Sequence, residues 1–90
     1  MEKNMESLAR TLMEFSQQKI GIAEAAMLLI CEGKTTRQMW LDTGIAPEVV
    51  NGRMGHLRKK KLAGTIKSDS GTTWHRTILA DMIIRNAMAK

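Results

Sequence analysis

Ninety residues carry 14 Lys and Arg against nine Asp and Glu, for a formal net charge of +5, and 43% of the chain is hydrophobic. That length leaves room for one core and excludes a dinucleotide-binding sheet or an eight-stranded α/β barrel, each of which needs far more chain. The apolar share is too high for general disorder.

Met1-Glu2-Lys3-Asn4 lacks the basic start, apolar run and small-residue cleavage site of a signal peptide. From Glu2 to about Gln18, Met5, Leu8, Leu12 and Phe15 recur at steps of three and four, the spacing of an amphipathic helix. Gln17 to Gly21 breaks it weakly. A second helix, mostly buried, is predicted from Ile22 to Glu32 with Gly33 as its C-terminal cap. The apolar stretch here, Ile20 to Cys31, contains Glu24 and is well short of the ~20 residues that cross a bilayer. The expectation is a soluble, cytoplasmic chain with no membrane partner.

Thr35 or Thr36 can cap a short helix from Arg37 to Thr43, with Met39 and Trp40 facing inward and Gly44 ending it. Pro47 suits the first turn of the next helix, where its missing N–H costs nothing. That helix runs to about Lys60 on an inward stripe of Val50, Met54 and Leu57. The period then turns strand-like. Ala63 to Lys67 and Thr72 to Ile78 read as two strands joined by the turn Ser68-Asp69-Ser70-Gly71. Leu79 to Lys90 returns to helical spacing through Leu79, Met82, Ile83 and Ala87. One domain, 1–90, is expected.

Cys31 is the single cysteine, so an internal disulfide is impossible, and with His56 and His75 it forms no common zinc spacing. It reads as a small buried apolar residue. Eight methionines give an adaptable, loosely specifying core, whose packing can draw on a second chain. No Ser/His/Asp or Cys/His arrangement, Gly-rich phosphate loop or carboxylate cluster is evident, so neither catalysis, a cofactor nor a metal is expected. Asp42, Asp69 and Asp81 have ordinary roles at a helix end, in a turn and in the terminal helix.

The charge is divided unevenly. Residues 1–45 hold five basic and six acidic side chains, a balance of −1, while residues 46–90 hold nine and three, a balance of +6. Its centre is Arg58-Lys59-Lys60-Lys61, with Arg53, Lys67 and Arg76 nearby. Such a run is either a solvated helix end that complements the helix dipole or a phosphate-binding surface, which gains affinity by releasing condensed counterions.

The order of these elements resembles the winged helix-turn-helix family of DNA-binding domains. Thr35 to Ile45 looks like the first helix and turn, with Gly44-Ile45 as the glycine–apolar turn. Ala46 to Val50 looks like the start of a recognition helix, and Leu57 to Leu62 like its passage into the first wing strand. The resemblance is close over Cys31 to Ile78 and loose over nearly all the chain. It implies a mainly α fold with a small β-hairpin (α+β): a helix over 1–20, a helix-turn-helix core over 22–62, a wing over 63–78 and a helix over 79–90.

It also implies sequence-specific binding to double-stranded DNA by a small transcriptional regulator, with the helix at about 47–60 in the major groove and the wing on the backbone or minor groove. Asn51 would pair with adenine, Arg53 or His56 with guanine or phosphate, and Glu48 with the cytosine amino group. Arg58, Lys59, Lys60 and Lys61 would meet phosphates, with Arg37 and Lys34 on the flanking strand. At the hairpin, Lys67, Ser68, Ser70 and Thr72 would reach the DNA, joined by Arg76 if its strand face points outward, and by a solvent-facing His75.

Trp40 and Trp74 read as core. Gly52 and Gly55 fall on the outward helix face, where they permit close approach to a groove wall or a partner helix, or mark a kinked helix; each costs ~1 kcal/mol relative to Ala in a helix interior. Ala46 supplies no capping hydroxyl where the family often has Ser or Thr. The two terminal helices can pack on each other or form a two-fold seam, and a homodimer is favoured in so small a chain. The alternative from another class is a winged-helix protein-interaction module without DNA binding. Single-stranded nucleic acid is a third option, although it needs exposed aromatics.

Overall fold

The computed structural model describes Glu2–Ala89, with side chains described from Leu8 onward, so Met5 of the expected stripe lies outside the described residues. Five helices and one hairpin make an α+β chain, ordered α1 (Glu2–Ser16), α2 (Ile22–Ile30), α3 (Thr36–Thr43), α4 (Pro47–Lys59), β1 (Ala63–Ser68), β2 (Gly71–Arg76) and α5 (Ile78–Met88). The strands pair antiparallel from Ala63↔Arg76 to Ser68↔Gly71, leaving Asp69-Ser70 as the loop.

Local chemistry accounts for most boundaries. Thr35 caps α3: its Oγ1 accepts from the Gln38 N–H at 3.1 Å, and Gln38 Oε1 accepts from the Thr35 N–H at 2.9 Å. Gly44 ends α3 in the left-handed region at φ 76°, donating its N–H to the Trp40 carbonyl. Pro47 occupies the first turn of α4. Thr77 begins α5, its Oγ1 accepting from the Ala80 N–H, so the second strand stops at Arg76 and not at Ile78.

α2 ends earlier than its composition predicts. The helix stops at Ile30 and Gly33 lies beyond the cap, at φ 72°. The chain turns there to run beside β2: the Gly33 N–H donates to the Trp74 carbonyl and the Trp74 N–H to the Lys34 carbonyl, each at 2.8 Å. One rung of sheet thereby ties the hairpin to the segment that leads into α3.

The core gathers Phe15, Met27, Leu28, Cys31, Met39, Val50, Met54, Leu57, Leu62 and Trp74, all buried. α4 delivers the inward stripe Val50, Met54 and Leu57 as its period requires. α1 packs against both α5 and α2. Two stripes differ from expectation. α5 buries Ala80 and Ala87 with Ile83 and Ile84 packed on the core, while Leu79 and Met82 are 47% and 52% exposed; the small alanines face inward, where two helices need to approach. Trp40 is also 40% exposed. An eight-residue helix has one inward stripe, and Met39 takes it.

Candidate nucleic-acid interface

α4 is fastened along both flanks and open along its outer face. On one flank Thr36 donates its hydroxyl to Asn51 Oδ1 at 2.8 Å, joining α4 to α3. On the other, His56 Nδ1 stands 2.6 Å from Glu24 Oε2, joining it to α2. Between these straps lie Glu48, Gly52, Gly55 and Lys59, one above another at helical spacing. Gly52 is exposed, and a Cβ added at either glycine would meet no atom within 4 Å. The face is therefore smooth without being crowded.

The end of α4 is built to expose charge. Lys61 takes the left-handed region at φ 64°. Its N–H donates to the Arg58 carbonyl and the Leu62 N–H to the Leu57 carbonyl, both at 3.0 Å. This is the Schellman closure, with buried Leu57 and Leu62 as its apolar contact. Closing the helix this way turns Leu62 into the core and leaves Arg58, Lys59, Lys60 and Lys61 exposed together. Thr77 Oγ1 fastens the turn, donating to the Lys61 carbonyl at 2.7 Å.

Carboxylates and cations pair away from that run. Lys34 bridges Asp42 at 2.6 Å, His75 meets Glu32 at 2.8 Å and Arg76 meets Asp81 at 2.9 Å. Among the described residues, no ion pair engages Arg37, Arg53, Arg58, Lys59, Lys60, Lys61 or Lys67. All seven are exposed.

Four expected contacts are engaged within the chain instead, the first being Lys34 with Asp42. Arg76 turns inward, donating from Nη1 to the carbonyls of Leu28 and Leu29 and from Nε to Asp81, so it caps the end of α2. His75 has both ring nitrogens engaged, one with Thr73 and one with Glu32, and does not face solvent freely. His56, although part of α4's exposed surface, is held by Glu24. Burial by itself would raise the Glu24 carboxyl; the Gly21 N–H, His56 and the nearby Arg53 charge outweigh that and hold it below the usual carboxylate range. Glu32 is also held low, chiefly by the Arg76 backbone N–H, against burial and with help from His75.

Cys31 is fully buried, and burial pushes its thiol up to about 11. Among the described residues no group of three His, Cys, Asp or Glu is placed to hold a metal ion, and no helix is long and apolar enough to cross a membrane. The straps on Asn51, His56 and Arg76 escape sequence reasoning because their partners lie 15, 32 and up to 48 residues away. No protein-family model, curated protein or solved structure matches the chain.

Proposed function

We propose that this chain is a winged helix-turn-helix protein that binds double-stranded DNA in a sequence-specific way and acts as a small transcriptional regulator. In this reading α3 and α4 form the helix-turn-helix, α4 enters the major groove and the β1–β2 hairpin is the wing. The observation that carries it is the run Arg58 to Lys61: four exposed cations beside one open helix face, none of them paired with a carboxylate among the described residues. Phosphates are the partners that such a run can take from outside the chain. Exposed Lys67 on the hairpin and Arg37 at the start of α3 add to it, with Glu48 in the groove-facing strip and Arg53 next to Gly52 in the chain.

Two copies pair, in the same reading, through the N- and/or C-terminal helices, where Leu8 and Met13 of α1 and Leu79 and Met82 of α5 are exposed. Met13 and Ile22, 65% and 69% exposed, border an open apolar groove of about 260 Å³ between α1 and the start of α2.

Duplex binding over a salt series tests the DNA reading, with wild type compared to a variant carrying Lys59→Ala, Lys60→Ala and Lys61→Ala. A steep log–log slope is expected, flattening by up to about one for each phosphate that the variant no longer neutralises. Absence of duplex affinity at low salt would instead favour a winged-helix protein-interaction module, for which exposed Trp40, Leu41 and Val49 would supply apolar contacts.

A further inference from the structure

A polar relay crosses three elements and ends on the flank of α4. Trp74 is buried in β2, and its indole N–H, which can only donate, gives its hydrogen to Thr36 Oγ1 at 3.0 Å. Thr36, in the first turn of α3, passes its one hydroxyl hydrogen to Asn51 Oδ1 at 2.8 Å. Donation thus runs one way, from core to surface. The inner end is rigid, because Trp74 is also gripped through its backbone by Gly33 and Lys34. At the outer end the Asn51 carbonyl is turned toward α3. Its amino group, two donors with no lone pair to offer, has no hydrogen-bond partner among the described residues, and Asn51 is exposed.

We propose that Asn51 is a specificity-determining residue that reads guanine through this amino group, with Thr36 and Trp74 as the positioning residues that fix its orientation. The proposal rests on the DNA-binding reading above. Guanine presents two acceptors in the major groove, N7 and O6, and both suit an amino group. Adenine presents one acceptor and the N6 donor, so its bidentate pair with Asn needs the side-chain carbonyl. Thr36 takes one of that oxygen's two lone pairs and holds the carbonyl toward α3, so carbonyl and amino group are not presented side by side to a base edge. The pairing with adenine implied for an unrestrained Asn51 gives way to guanine.

Selection of bound sites from a randomised duplex pool tests the relay, with non-specific affinity and thermal stability measured alongside. Wild type should enrich guanine at one position by about tenfold, the discrimination typical of a well-made base contact. Asn51→Ala should flatten that position alone. Thr36→Val, which frees the carbonyl, should move it toward adenine, and Trp74→Phe, which keeps a ring and removes the N–H, should weaken the guanine preference. Thr36→Ser should keep it, and the Thr36→Val/Asn51→Ala pair should match Asn51→Ala. An unchanged preference in folded Thr36→Val or Trp74→Phe, while Asn51→Ala alters it, would overturn the relay and leave DNA binding standing. Sites selected without any dependence on Asn51 would remove it as a reader. No duplex binding by wild type would overturn the DNA reading, and the relay's role in recognition with it.

Discussion

Lys61 occupies a backbone conformation that glycine adopts more easily, at the position where Schellman closures usually carry glycine. Lys61→Gly should therefore stabilise the fold by about 1 kcal/mol in urea denaturation. It should at the same time reduce the salt slope of duplex binding by about one. Stabilisation without any change in slope would make Lys61 an ordinary helix end. Glu24 carries a different prediction. Its folded carboxyl titrates below the unfolded value, so its contribution is present above the ordinary carboxylate range near 4.5 and is lost as pH falls through the folded value. Glu24→Gln should be less stable than wild type at pH 7, and that gap should narrow as pH drops below about 4.5. A gap that stays constant from pH 7 to 3 would mean that the carboxylate charge contributes nothing. For Cys31, burial and a thiol raised to about 11 predict negligible alkylation at pH 8 until the chain unfolds; rapid labelling of native protein would contradict its place in the core.

α4 is where local pattern and tertiary role agree and also where they part. Its inward residues are legible at steps of four and three, and Val50, Met54 and Leu57 are all fully buried. Thr35, Gly44 and Pro47 mark their boundaries by the capping chemistry any sequence reading would use. Gly52 and Gly55 are another matter, since helix propensity disfavours both and neither is required by a close neighbour. Gly52→Ala and Gly55→Ala should each stabilise the free protein by roughly 0.5–1 kcal/mol. If the strip lies against a groove wall, the same variants should weaken duplex binding, because a methyl group then stands between backbone and DNA. Stabilisation with unchanged affinity would show that the glycines serve no contact. α5 is less legible: spacing of three and four fits Leu79, Met82 and Ile83 as well as Ala80, Ile83, Ile84 and Ala87. Residue size favours the first set, yet close packing against α1 selects the second.

For the whole molecule, the net +5 resolves into a surface where pairing is selective. Carboxylates sit at joints between elements, at Glu24–His56, Glu32–His75 and Asp81–Arg76, and the α4 end keeps its cations exposed. The asymmetry is visible in the sequence as blocks of −1 and +6. Which cations stay outside is not, because Arg76 reaches carbonyls 47 and 48 residues away. The exposed apolar residues of α1 and α5 belong to this scale as well. Sedimentation equilibrium should give a dimer that Met13→Glu or Met82→Glu converts to monomer with the fold intact; a wild-type monomer at high micromolar concentration would remove the two-fold seam. The central claim, that α4 and the hairpin form a DNA-binding face, is tested most directly by mapping amide shifts on titration with a short duplex at low salt. Shifts should concentrate on Glu48 to Lys61 and on Lys67 to Thr72, and should fade as salt is raised. An absence of shifts, or shifts confined to α1 and α5, would contradict it.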